Sequence, residues 1–188
     1  MKANKPGQSA LLLLEVIKIL EQFEIPYAII GAFAASFYGV VRASLDADAV
    51  IYLNTKNDIE LLHSACKKRR WTSEYRQGDS QDPIEALLNI QDRFCNRVDL
   101  IIGIRGMGAK VFSRTTDAEF MGCSVRIIGL EDFIATKIFA GGPVDIRDCL
   151  GVLKISGSQV NWILLKKITA GYGKDCLKLL SKILKNNS

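Results

Sequence analysis

The sequence predicts an α/β (α+β) protein in which a central mixed β-sheet is flanked by helices and followed by a helical C-terminal part. Three observations lead there. Short apolar runs of strand character alternate with helical patterns as far as residue 128. From Leu130 onward the remaining patterns are all helical. Two of the strand runs also carry carboxylates in otherwise apolar surroundings, a costly placement that asks for a compensating charge. Residues 1–128 are therefore read as the α/β core, and 129–188 as a helical part packed on it rather than independent.

The elements follow in order. Leu12, Val16, Ile19, Leu20 and Phe23 fall on one stripe and predict an amphipathic first helix. Pro26 breaks it, and Tyr27 to Ile30 reads as a short buried strand ended by Gly31. Ala32 to Tyr38 is a small-residue helix closed by Gly39. Leu45 to Leu53 is the next strand, after which Asn54 and Thr55 offer caps for a helix from Asp58 to about Arg70. Trp71 to Tyr75 reads as a strand, Arg76 to Asp82 as a polar loop, and Ile84 to Ile90, Arg97 to Gly103 and Val125 to Ile128 as further strands. Helical periods occupy Leu130 to Ala140, Val144 to Ile155, Val160 to Ala170 and Lys174 to Leu184. No internal repeat occurs.

With 48% hydrophobic and 24% charged residues in 188, the chain has the balance of a folded domain. No run of about 18 apolar residues is present, which excludes a membrane span. Leu11 to Leu14 imitates a signal peptide, but Glu15 and Lys18 interrupt it and no small-x-small cleavage site follows. The five cysteines are odd in number and lack any C-x-x-C pair, and the single His63 lacks neighbouring ligands. Zinc and disulfide frameworks are therefore not expected, and reduced thiols in a cytoplasmic protein are. The net charge of +5 favours an anionic partner such as a nucleotide or RNA. The densest basic cluster, Lys67-Lys68-Arg69-Arg70, reads either as a solvated helix end whose cations suit the dipole or as a phosphate-contacting patch.

In Ser44-Leu45-Asp46-Ala47-Asp48-Ala49-Val50-Ile51-Tyr52-Leu53, strand alternation puts Asp46 and Asp48 on one face, with Leu45, Ala47, Ala49, Ile51 and Leu53 on the other. Two like charges at the leading end of a buried strand repel unless a cation lies between them, and hard oxygen ligands suit magnesium. A solvated strand end is the plainer alternative. Arg97-Val98-Asp99-Leu100-Ile101-Ile102-Gly103 adds a third carboxylate on a second apolar strand, as two-metal phosphoryl chemistry requires. Asp99 could instead pair with Arg97 or Arg42. Gly31 stands where a strand turns into a helix, a place where a phosphate can approach the backbone. The run Gly103-Ile104-Arg105-Gly106-Met107-Gly108 has neither a Walker lysine nor dinucleotide spacing and reads as a turn.

Taken together, Tyr27-Ala28-Ile29-Ile30-Gly31-Ala32-Phe33-Ala34 and Tyr38-Gly39-Val40-Val41-Arg42-Ala43-Ser44-Leu45-Asp46-Ala47-Asp48 resemble the DNA polymerase β-like nucleotidyltransferase superfamily. They look most like its small prokaryotic members, the minimal nucleotidyltransferases and abortive-infection-type toxins. Asp99 falls where that family's third acidic residue is expected. Leu130 to Lys137, continuing to Asp145 and Asp148, is similar to a later motif in which a lysine and a pair of aspartates recur. The resemblance covers roughly residues 10–153.

It implies a nucleotidyltransferase fold and magnesium- or manganese-dependent transfer of a nucleoside monophosphate from a nucleoside triphosphate to a hydroxyl of RNA, tRNA, protein or a small molecule. Asp46, Asp48 and Asp99 would be catalytic and hold the metals. Gly31, Ala32, Arg42, Ser44 and Lys137 would bind the nucleotide, although Arg42 could be a structural partner of the carboxylates and Lys137 could snorkel to solvent. Three positions depart from the family's pattern. Ala32 replaces serine or glycine in the turn, Ala47 replaces a bulky aliphatic residue between the aspartates, and Gly142 stands where a basic residue is frequent. They leave open a second reading, a weak or inactive module acting through a partner, for instance in a toxin–antitoxin pair.

Overall fold

The structure is a computed structural model that describes residues 2–55 and 57–185. The chain runs α1 (Ser9–Gln22), β1 (Tyr27–Ile29), α2 (Gly31–Phe37), β2 (Asp46–Ile51), α3 (Asp58–Lys68), β3 (Thr72–Gln77), β4 (Ile84–Gln91) and β5 (Arg97–Ile104). After a 3-10 turn at Ala109–Ser113 come β6 (Thr116–Phe120), β7 (Cys123–Ile127), α4 (Leu130–Ala140) and α5 (Pro143–Ser156). A second 3-10 turn, Gly157–Gln159, leads to α6 (Trp162–Gly171) and α7 (Lys174–Lys185).

The seven strands form one mixed sheet in the order β3-β4-β5-β2-β1-β7-β6. The pairs β2–β5 and β1–β7 are parallel and the others antiparallel. The strand bearing Asp46 and Asp48 thus lies at the centre. Its two faces differ: Ala47, Ala49 and Ile51 are buried together with Val98, Leu100 and Ile102 of β5 and the apolar residues of α1, which packs against both strands. The small Ala47 and Ala49 let that helix come close. The opposite face carries Asp46, Asp48 and Val50 and is approached by α2.

The C-terminal helices are tied to α2 and to the end of β7. The Tyr38 hydroxyl donates to the Ile128 carbonyl at 2.6 Å, its ring meets Phe133 at 5.7 Å, and the Ser156 hydroxyl donates to the Tyr38 carbonyl. Asp132 of α4 accepts two 2.6 Å bonds from Arg114 in the loop before β6. One hydrophobic cluster runs from Leu12 through Phe133 to Leu180.

Several expectations are corrected. The first helix buries Leu11 to Leu14, Val16, Ile17, Ile19 and Leu20, far more of its circumference than one stripe, because it is enclosed rather than laid on a surface. The strand expected over Leu45 to Leu53 is shorter: Leu45 is 83% exposed and Tyr52 is half exposed beyond its ends. Asn54 and Thr55 do not cap α3. Their amides, and the Thr55 hydroxyl, donate instead to the Asp58 carboxylate. α3 also stops at Lys68, because Arg70 adopts φ 59°. β3 runs on to Gln77 into the expected loop, held by Gly78 N donating to the Glu85 carbonyl. β6 and its hairpin with β7 are unforeseen, since Asp117 and Glu119 alternate outward on a short edge strand that reads as loop.

Candidate active site

The parallel register of β2 and β5 sets Asp48 directly opposite Asp99 and Asp46 opposite Arg97. On the far side of β5, Asn89 of β4 is the register partner of Asp99. One row across three strands therefore reads Asp48, Asp99, Asn89. α1 fixes that register at its first residue. The buried Ser9 hydroxyl donates to the Leu45 carbonyl at 2.5 Å and accepts from Arg97 N at 3.1 Å, stitching together the opening ends of the two strands.

Next to this row the chain leaves β1. Ile30 N donates to the Asp48 carbonyl, and Gly31 turns into α2 with φ 64°. A Cβ on Gly31 would collide with Asp48 Oδ2, so the absence of a side chain is what lets the carboxylate lie over the turn. Gly31, Asp48 and Arg42 line a cleft of about 440 Å³ whose opposite wall is α4 and the start of α5, with Phe133, Thr136, Lys137 and Asp145.

The charges in and around the cleft do not balance. Lys137 is only 8% exposed, and its ammonium lies 2.7 Å from Asp145 and 3.0 Å from Asp148. It therefore does not snorkel to solvent. Arg42 reaches Asp148 at 3.3 Å, and Arg97 grips Asp99 in a fork at 3.1 and 2.8 Å, with Asn89 adding a 2.5 Å bond. Asp46, Asp48, Asp99, Asp145 and Asp148 are five carboxylates facing the three cations Arg42, Arg97 and Lys137, a deficit of two positive charges. The Asp48 carboxyl feels it: burial first, then the Asp99 and Asp46 charges, push it up to about 6 despite the opposing fields of Lys137 and Arg42.

Among the described residues no three His, Cys, Asp or Glu side chains stand together as a finished metal cage, since Asp99 is turned to Arg97 and Asn89. The donor set nevertheless fits a divalent cation. The carboxylates of Asp46 and Asp48 offer the hard oxygens such an ion takes, and a magnesium or manganese ion would match the missing charge.

A pH prediction follows for metal-free protein. Below about pH 4, Asp48 is protonated in both the folded and the unfolded chain and contributes nothing. As pH rises through 4 to 6 the unfolded chain ionises first, so stability is lost, by on the order of 2–3 kcal/mol once both states are charged. Asp48→Asn is thus expected to melt higher than wild type at pH 7.5 in chelator, with the difference vanishing near pH 4. Denaturant titrations at the two pH values test this; a variant less stable at pH 7.5 would contradict it.

Of the residues selected from sequence, the structure brings Gly31, Arg42, Asp48 and Lys137 together around the cleft; Asp46 and Asp99 share the sheet face of Asp48 but are not among the residues that line it. Ala32 is buried in the first turn of α2, and Ser44 is exposed with its hydroxyl on the Asp46 carbonyl, so neither side chain lines the cleft. Of the two proposed partners for Asp99, Arg97 is the actual one; Arg42 serves Asp148 instead. Asp145 and Asp148 were a recurring pair without a role, and they prove to hold Lys137 in place. Gly142 leaves room for this, since a Cβ there would come within 2.9 Å of Asp145 Oδ2. Ser9 and Asn89 carried no local signal, because their roles depend on strand register.

No protein-family model and no curated protein matches the chain. Solved structures do match in fold. The antibiotic-resistance factor ANT(2'')-Ia, in complex with adenylyl-2''-tobramycin, is 16% identical with a TM-score of 0.59 over 88% of this chain and 96% of its own. A nucleotidyltransferase-like protein of Thermotoga maritima is 14% identical with a TM-score of 0.56 over 73% and 88%. The lincomycin-bound lincosamide antibiotic adenylyltransferase LnuA is 9% identical with a TM-score of 0.50 over 81% and 99%. The fold of this chain is the nucleotidyltransferase fold.

Proposed function

We propose that the protein, with its nucleotidyltransferase fold and a carboxylate row that meets the cleft at Asp48, transfers a nucleoside monophosphate from a nucleoside triphosphate to an acceptor hydroxyl. One observation carries the reading: Asp48 and Asp99 are register partners in adjacent strands, on one sheet face beside the side-chain-free Gly31 turn. In the reaction the acceptor oxygen bonds to the α-phosphorus, the bond from that phosphorus to the β-bridging oxygen breaks, pyrophosphate leaves, and the acceptor proton passes to a base. Asp46 and Asp48 would hold the magnesium or manganese ion, which supplies charge neutralisation and polarisation of the phosphoryl oxygens.

This chain's own groups divide the remaining work. Gly31 admits the triphosphate to the backbone of the turn, where Ala32 offers an amide in place of the missing hydroxyl. Lys137 on the opposite wall, held by Asp145 and Asp148, and Arg42 beside Asp48, held by Asp148, supply the positive charge for the phosphates. Asp99 takes the acceptor proton once Arg97, whose side chain is 43% exposed, yields one carboxylate oxygen. The product held by ANT(2'')-Ia, adenylyl-2''-tobramycin, supports a hydroxyl as the acceptor class.

Asp99→Asn is expected to lower the single-turnover transfer rate at least a hundredfold while nucleotide affinity changes less than threefold. A parallel collapse of affinity would remove the separate role given to Asp99. The second reading, a non-catalytic module working through a partner such as a toxin–antitoxin mate, draws support from the same Arg97–Asp99 fork, which leaves Asp99 occupied. Under that reading Asp99→Asn strands Arg97 and lowers the melting temperature, and magnesium changes nothing in wild type. Under the catalytic reading magnesium with nucleotide raises the wild-type melting temperature by mass action.

A further inference from the structure

The basic cluster Lys67 to Arg70 does not stand alone. A groove of about 510 Å³ is lined by Lys68, Arg69 and Arg70 from the end of α3, Arg93 from the β4–β5 turn, and Lys2 near the N-terminus. Two aromatic rings, Trp71 and Phe94, form part of its walls, each with an arginine guanidinium near its face: Arg69 at 5.7 Å from Trp71 and Arg93 at 4.6 Å from Phe94. A helix dipole accounts for cations on α3. It does not account for the convergence of Arg93 and Lys2 from two other segments on the same groove.

The groove is also electrically unspent. Its carboxylates are Glu15 and Asp92, giving five cations against two anions. Asp92 is buried and already accepts from Phe94 N, Asn96 N and Asn96 Nδ2. Among the described residues, none of the five cations forms an ion pair.

Its position matters as much. Trp71 opens onto Thr72, whose register partner is Gln91; Gln91 pairs with Arg97, and Arg97 with Asp46. Thr72 therefore stands in one row with Asp46, three strand spacings or about 14 Å apart in the plane of the sheet, while Glu15 of the groove comes from α1, which covers the face opposite the carboxylates.

We propose that this groove binds single-stranded nucleic acid, with bases stacked on Trp71 and Phe94 and phosphates held by Arg69, Arg70, Arg93, Lys68 and Lys2. A cationic groove walled by aromatic planes suits a strand whose bases are free to stack. A flat anionic membrane would not enter a concavity, and an acidic peptide would leave the rings without planar partners. That the bound strand presents its terminal hydroxyl as the acceptor rests on the transfer proposed above; the binding itself does not.

The test uses the full chain, without nucleoside triphosphate or metal, and fluorescein-labelled 12-mers of single-stranded RNA, single-stranded DNA and duplex RNA, read by anisotropy across a salt series. Wild type is expected to bind a single strand at least tenfold more tightly than the duplex. The RNA and DNA arms show which sugar the groove takes. The variant Arg69→Gln/Arg70→Gln/Arg93→Gln should bind at least tenfold more weakly and flatten the slope of log affinity against log salt by about 2. Its circular dichroism and melting temperature should match wild type. Lys178→Gln/Lys182→Gln, on the basic face of α7, should bind as wild type does. With Trp162→Phe, Trp71 is the one indole left, and its fluorescence should fall as the strand binds. Equal binding by the triple variant and wild type, binding only of anionic phosphatidylserine vesicles, or no binding of any oligonucleotide would overturn the proposal. Asp48→Asn should bind the strand like wild type while losing transfer, so failure of the active site and failure of the groove give different results.

Discussion

Replacing Asp46 and Asp48 together by asparagine is expected to remove magnesium-dependent nucleotide binding and to lower transfer by about a thousandfold or more. Both side chains lie on the open face of the central strand, and Asp48 bears the strain of uncompensated charge there, its carboxyl raised to about 6 by burial and by Asp99 and Asp46. Asparagine keeps their shape and removes the charge that a divalent ion would neutralise. Charge stabilisation of several kcal/mol in the transition state corresponds to that loss, each 1.4 kcal/mol being tenfold. Calorimetry of nucleotide binding with and without magnesium, on wild type and the double variant, reads the first effect. Identical metal dependence in both would show that the aspartates do not serve the ion.

Gly31→Ala is expected to damage the site from the other side of the same contact. At φ 64° an alanine pays roughly 1–2 kcal/mol in backbone strain, and its Cβ drives Asp48 Oδ2 off the turn. The variant should fold with a melting temperature lower by several degrees and bind nucleotide at least tenfold more weakly. Gly39→Ala makes the comparison informative. It too has a positive φ, 95°, but its Cβ would press on Ile155 rather than on a carboxylate. It should lose stability while nucleotide affinity per folded molecule stays unchanged. If both glycine variants lost affinity equally, the special place of Gly31 over Asp48 would be refuted.

The parts of this architecture that were legible in the sequence are those written in local periodicity and in charge. The mixed sheet and helical C-terminal part, the shared face of Asp46 and Asp48, and the Gly31 turn needed only alternation and the cost of a buried carboxylate. What stayed hidden depends on register. Nothing near Asn89 shows that it will stand opposite Asp99, and nothing near Ser9 shows that one hydroxyl will bridge Leu45 and Arg97, neighbours in space that lie far apart in the sequence. Lys137 was misjudged in one respect for the same reason. On its helix it resembles a lysine reaching for water, and only the return of α5 surrounds it with Asp145 and Asp148. Short edge strands such as β6 escape because their outward carboxylates imitate a loop.

Movement of a nucleoside monophosphate by this cleft is read by label transfer. Purified protein is incubated with magnesium, a cell lysate or its RNA fraction, and nucleoside triphosphate labelled either at the α- or at the γ-phosphate. Wild type should pass the α-label to an acceptor and release pyrophosphate, the γ-label should remain with pyrophosphate, and Asp48→Asn should do neither. Transfer of the γ-label, or α-label transfer that survives in Asp48→Asn, would contradict nucleotidyl transfer at this site.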